Sequence, residues 1–101
     1  MKISIDIDDT YTKDPECFER LIVLLKNAGH RVGALTGRTP DTIPGDNWDF
    51  KIGGYDLEKW PHGTDEERSI GKGHLMRDNQ INIHFDNQAD WFDDDLIVVK
   101  I

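Results

Sequence analysis

Apolar Ile3, Ile5 and Ile7 alternate with polar Lys2, Ser4 and Asp6 at the start of the chain. A period of two marks a β-strand, and this one runs directly into Asp8-Asp9-Thr10. The period then changes. Phe18, Leu21, Ile22 and Leu25 recur at i, i+3, i+4 and i+7, a stripe that predicts a helix packed on a sheet. Asp14 and Pro15 supply its start, a capping carboxylate and a first-turn proline; Lys26 suits its last turn and Gly29 its stop. Arg31 to Leu35 predicts a second strand, which ends in Thr36-Gly37-Arg38. The stretch from Thr39 to Gly63 is broken by Pro40, Pro44, Gly45 and Pro61, and Phe50-Lys51-Ile52 before Gly53-Gly54 predicts a short third strand within it. Thr64 and Glu67 stand at capping-box spacing and open a helix near Asp65. Gly71 and Gly73 are expected to interrupt it around Lys72, with a turn or two resuming from His74 to Asn79. Ile81, Ile83 and Phe85 alternate as a fourth strand ending at Asp86, and Leu96 to Ile101 reads as an aliphatic fifth.

Strands alternating with helices predict an α/β fold, a three-layer sandwich around a five-stranded parallel sheet with right-handed crossovers. The polar ends of strands one, two and four then converge on one rim, the carboxyl edge where open α/β sheets bind their ligands. Composition sharpens this outline. At 101 residues and 37% hydrophobic, the chain predicts one small domain spanning 1–101, without repeats or a low-complexity linker. A formal charge of −8 argues against non-specific binding to nucleic-acid backbones or anionic membranes. It leaves room for a phosphorylated substrate, because a bound cation reverses the local field. The single cysteine, Cys17, excludes an internal disulfide and is expected to pack beside the first helical stripe. With no long apolar run and no leader pattern, the expectation is a cytoplasmic protein that does not span a membrane.

The chemistry is concentrated after the first strand. Three carboxylates in four residues repel one another, and burial disfavours their charged forms, so the turn needs a cation or water. That predicts a divalent-metal site in which one carboxylate also attacks phosphorus; the plain alternative is a solvated acidic turn. A second acidic turn, Asp86-Asn87-Gln88-Ala89-Asp90, ends the fourth strand.

These motifs resemble, in type and order, those of the haloacid dehalogenase-like (HAD-like) phosphohydrolases. Ile5-Asp6-Ile7-Asp8-Asp9-Thr10 matches a hydrophobic strand followed by Asp-x-Asp-x-Thr. Leu35-Thr36-Gly37 matches the strand ending in Thr or Ser, Lys72 the lysine ahead of the fourth strand, and Phe85-Asp86 with Asp90 the final acidic strand end. The resemblance implies a Mg²⁺-dependent phosphomonoesterase. Asp6 would be the nucleophile that forms an aspartyl-phosphate, and Asp8 the general acid and base. Asp6, the backbone carbonyl of Asp8 and Asp86 would hold Mg²⁺, and Asp90 would orient metal-bound water or Lys72 from behind. Thr36, Gly37, Arg38 and Lys72 would contact the substrate phosphate. Family members with an acid two residues after the nucleophile are typically phosphatases, and Asp8 fills that place.

No interval between motifs is long enough for the cap domain of larger relatives, so the chain resembles a capless minimal member. An open site suits a phosphate on a macromolecular end, and also accommodates a nucleotide or small phosphate ester; a homo-oligomer could supply the missing cover. Two other readings stay open: a phosphoacceptor signalling module, and an inactive HAD-like binding protein. Against the first, Ile52-Gly53-Gly54 lacks an acceptor aspartate where a receiver domain ends its third strand. Lys51 and Lys59 compete with Lys72 for the lysine role, and Arg38 is equally readable as a solvated turn residue. Asp9 and Thr10 are expected to satisfy the turn's own backbone, and Asp93-Asp94-Asp95 to be a solvated loop. Trp48, Trp60, Trp91 and Tyr55 are readable as a substrate-facing wall or, by default, as partly buried cover for the sheet, and His30, His62, His74 and His84 show no metal-ligand spacing.

Overall fold

A computed structural model describes residues 1–54 and 64–101. Its architecture is a small α/β fold with a five-stranded, all-parallel sheet and two α-helices. The elements run β1 (Lys2–Ile5), α1 (Pro15–Asn27), β2 (Arg31–Leu35), β3 (Phe50–Ile52), α2 (Asp65–Asp78), β4 (Ile83–Asp86) and β5 (Val98–Lys100). The sheet order is β3-β2-β1-β4-β5. The chain therefore steps outward from β1 to β3, then returns to the other side of β1 for β4. That reversal between β1 and β4 is the point at which an open α/β sheet leaves a crevice at its carboxyl edge.

The helix signals act as read. Asp14 caps α1, its carboxylate accepting from the Cys17 amide at 3.2 Å, with Pro15 in the first turn. Gly29 takes a φ of 93°, the left-handed stop that a residue with a side chain adopts at a cost. Phe18 and Ile22 are buried from the stripe, while Leu21 and Leu25 pack at its margin. Thr64 caps α2 by accepting from the Glu67 amide at 3.1 Å.

Four local expectations are corrected. α2 is one unbroken helix, not two pieces parted by Gly71 and Gly73. Glycine costs about 1 kcal/mol of helix propensity relative to alanine. Here tight packing offsets it: a Cβ on Gly73 would come within 3.2 Å of Leu96 Cδ1, so the missing side chain admits the loop leading to β5. Cys17 is exposed and does not pack. Trp91 is also largely exposed, whereas Trp48 packs against the core and donates to the Pro44 carbonyl. β5 is shorter than the aliphatic run: Ile97, Val99 and Ile101 alternate on an exposed face of this edge strand. The expectations for Tyr55, Lys59, Trp60, Pro61 and His62 lie outside the described residues.

Two separate apolar clusters hold the described structure. Ile5, Val32 and Ala34 of the sheet pack with Ile7, Tyr11, Phe18, Ile22 and Ile43 around α1. Leu35 and Ile52 pack with Leu75 and Met76 of α2 and with Ile81. Ala34 and Leu35 are adjacent in β2 yet join different clusters, as the alternation of strand side chains requires. No helix among the described residues is long and apolar enough to cross a membrane.

Candidate active site

Register brings the two acidic turns together. β1 and β4 pair with Ser4 opposite His84 and Ile5 opposite Phe85, and the Asp6 amide donates to the Phe85 carbonyl at 2.8 Å. The next residues along, Asp6 and Asp86, therefore emerge side by side at the carboxyl edge, where the strand order reverses. Both are buried. Lys72 reaches them from α2, its ammonium 2.8 Å from Asp6 Oδ1 and 2.9 Å from Asp86 Oδ2. The side-chain amide of Asn87, turned so that its nitrogen meets acceptors, spans the other two oxygens: 3.1 Å to Asp6 Oδ2 and 3.1 Å to Asp86 Oδ1. Thus each carboxylate gives one oxygen to Lys72 and one to Asn87.

The turn after β1 is built around Thr10. Its fully buried hydroxyl donates to Asp6 Oδ2 at 3.0 Å and accepts from the Asn87 amide at 3.0 Å, tying the two loops together. The expectation of mere backbone satisfaction understated this role. Asp9 bends the chain with a φ of 60°, a left-handed conformation that aspartate tolerates better than most residues.

A cleft of about 470 Å³ opens over this centre. Asp6, Asp8, Thr36, Gly37, Arg38, Lys72 and Asp86 all line it, as do Arg68 and Ser69 from the first half of α2. Asp8 is clasped by Arg38, through Nε at 2.9 Å and Nη2 at 2.7 Å, both on Oδ1, while Arg38 Nη1 donates to the Thr42 carbonyl. The buried Thr36 hydroxyl accepts from the Arg38 amide at 3.2 Å, and can still donate its own proton. The Thr36-Gly37-Arg38 loop rests on Gly53-Gly54: a Cβ on Gly54 would lie 2.5 Å from the Gly37 carbonyl oxygen. Lys51, the competing lysine within the described residues, is exposed on β3. Asp90 is not brought to the cleft. It is 62% exposed in its side chain and its ion-pair partner is Lys100, at 3.6 Å. Asp93 and Asp95 are exposed, as expected of the acidic loop, and both pair with Arg77.

Electrostatics separates the two central carboxylates. Burial pushes Asp6 up to about 6, against the pull of Lys72 and with the push of Asp86. Burial also works against the charged form of Asp86, but the hydrogen bond from His84 and the Lys72 ammonium outweigh it and hold Asp86 well below the usual carboxylate range. Lys72 is desolvated too, yet its two carboxylate partners raise it and keep it charged. Two carboxylates and one ammonium leave a surplus negative charge, which a proton on Asp6 or a bound cation would neutralise.

A stability prediction follows for the metal-free protein. The raised acid of Asp6 binds a proton that the unfolded chain has already released between its ordinary value of 3.8 and about 6. Its contribution to stability is therefore full below that window and is lost as pH rises through it. Urea unfolding at several pH values between about 4 and 6.5 should show this group's contribution falling, and Asp6→Asn should remove the slope. A wild-type slope that survives Asp6→Asn would reject the assignment.

Sequence reasoning did not find Ser4, His84, Asn87 or the linking role of Thr10. His84 is fully buried between the Ser4 hydroxyl, 2.7 Å from Nδ1, and Asp86 Oδ2, 2.8 Å from Nε2. Searching for metal-ligand spacing passed it over, although its position two residues before Asp86 puts both on one face of a strand. Ser4-His84-Asp86 has the connectivity of a nucleophile relay, but Ser4 has no exposed surface and meets no substrate.

Asp6 Oδ2 and Asp86 Oδ1 share the Asn87 side-chain nitrogen beneath the cleft, and paired carboxylate oxygens with several waters are a common way of holding Mg²⁺. Larger clusters of three or more His, Cys, Asp or Glu suited to a metal are absent among the described residues. The chain matches no protein-family model, no curated protein and no solved structure.

Proposed function

We propose that this chain is a Mg²⁺-dependent phosphomonoesterase of the HAD-like type, a capless three-layer sandwich using Asp6 as its nucleophile. One observation carries the reading: Asp6 and Asp86, eighty residues apart, flank one buried ammonium at the carboxyl edge where the strand order reverses. The two apolar clusters, each with its own helix, support the layered arrangement.

In the proposed reaction an Asp6 oxygen attacks phosphorus, the bond from phosphorus to the ester oxygen breaks, and Asp8 donates a proton to the departing alcohol. Water then attacks phosphorus, Asp8 accepts its proton, and Asp6 is released with inorganic phosphate. Thr36 and Lys72 hold phosphoryl oxygens, and Arg38 anchors Asp8 by one oxygen, which leaves Asp8 Oδ2 to carry the proton. Asp6, Asp86 and the Asp8 backbone carbonyl would hold Mg²⁺, which when bound screens the anionic nucleophile from the anionic phosphate. Charge counting agrees: a dication added to the central trio turns one surplus negative charge into one positive, facing a phosphate.

The substrate class is a phosphate monoester reached from an open side, on a macromolecular end, a nucleotide or a small ester. A panel of such esters with Mg²⁺, scored by phosphate release, tests the activity; no release from any of them would reject it. Asp8→Asn should lower turnover by about two to four powers of ten while leaving substrate affinity within a few-fold. Undiminished turnover in that variant would remove Asp8 from the acid and base role.

A further inference from the structure

We infer that Ser4 and His84 form a buried backing pair that fixes the Asp86 carboxylate, making His84 a positioning residue for the cation-binding face of the site. The inference rests on the proposed role of Asp86 as a cation ligand and adds residues that the motif match does not contain.

Two central parallel strands would ordinarily present Val, Ile or Leu to a helix-covered face. Here they present Ser4 and His84, directly opposite in register and without exposed surface, with the Phe92 ring 5.6 Å from the imidazole. Burying two polar side chains is costly unless each hydrogen bond is made, and these are made end to end. An ionised Asp86 Oδ2 can only accept, so the His84 Nε2 facing it donates, while the Ser4 hydroxyl meets Nδ1 at the other end of the ring.

Its consequence lies at the far side of Asp86. Oδ2 is pinned by His84 and Lys72, while Oδ1 accepts from the Gln88 amide at 3.0 Å and from Asn87. A carboxylate held at both oxygens cannot rotate, and Oδ1 stays beside Asp6 Oδ2. Hydrogen-bonding partners behind a ligand orient it in this way, and losing one commonly weakens metal binding by about 10- to 100-fold. A purely space-filling His84 would be replaced by leucine without that loss.

The experiment uses the full chain and Mg²⁺ alone, titrated calorimetrically, with ¹⁵N shifts of the His84 ring recorded in the wild type. The expected results are a proton on His84 Nε2 and a dissociation constant raised by about 10- to 100-fold in His84→Leu, with the fold retained by circular dichroism. His84→Gln, whose amide can still donate to Asp86, should recover binding to within a few-fold of wild type. Equal Mg²⁺ affinity in His84→Leu and wild type, or a ring without a proton on Nε2, overturns the inference. Should His84→Leu fail to fold, Ser4→Ala decides: weakened Mg²⁺ binding supports the pair, and unchanged binding overturns it. Wild type that turns over substrate with Mg²⁺ while His84→Leu binds as well removes this inference alone. Wild type that binds no Mg²⁺ removes the proposed function and this inference together.

Discussion

Asp6→Asn is expected to abolish phosphate release while leaving the protein folded. The amide keeps the shape of the carboxylate and its oxygen can still accept from Thr10, at the cost of the acceptor facing Lys72, but it is too weak a nucleophile to form a phosphoenzyme. Nucleophile removal elsewhere costs up to about six powers of ten in turnover, so activity should fall to background. Stability should change far less, because two effects oppose each other: an amide donor faces Lys72, and a surplus buried charge is gone. The variant leaves one ammonium with one carboxylate, Lys72 with Asp86, and removes the surplus buried charge that drives Asp6 up to about 6. The check pairs phosphate release with urea unfolding at neutral pH. Substantial turnover in preparations free of contaminating phosphatase would discard Asp6 as the attacking group. Lost turnover with a collapsed fold would make Asp6 a structural residue instead.

The second large effect is on folding. Lys72→Met removes the ammonium between Asp6 and Asp86 and leaves two buried carboxylates facing each other. Breaking a buried ion pair by deleting one partner commonly costs about 3–5 kcal/mol, much of it from the charge left behind. A loss in that range is expected at neutral pH without metal. It should shrink as the pH falls through the value at which Asp6 takes a proton. Mg²⁺ should restore part of it, because a cation bound only by the folded state stabilises that state in proportion to its occupancy. A small loss that neither acid nor Mg²⁺ changes would show that the carboxylates do not depend on Lys72.

The regular elements were legible because their signals were local. Asp14-Pro15 and the stripe from Phe18 to Leu25 specify α1 without help from the rest of the chain. β2 and β3 lie where the apolar runs before Thr36 and Gly53 put them. The two glycines of α2 read locally as a break, whereas the compensation at Gly73 is tertiary, supplied by Leu96. The candidate site was half legible for the same reason. Carboxylates after strand ends announce themselves, and Asp6, Asp8, Thr36, Lys72 and Asp86 all line the cleft. Asp90 was misplaced because nothing in spacing fixes which way a turn faces; it points to Lys100. His84 and Ser4 needed the register between strands eighty residues apart, which no local pattern contains.

The order of strands also dictates when the charged centre can assemble. β1 finds β2 after a short excursion, but its other neighbour, β4, arrives only when most of the chain has been threaded past it. Closing that long loop carries the larger entropic toll and comes late in any pathway that follows topology. Until it closes, Asp6 remains bathed in water at an unzipped strand edge. Desolvation of the acid and docking of its opposite carboxylate thus share one condition, the pairing of β1 with β4, and a chain without it has half a sheet and no assembled charged centre.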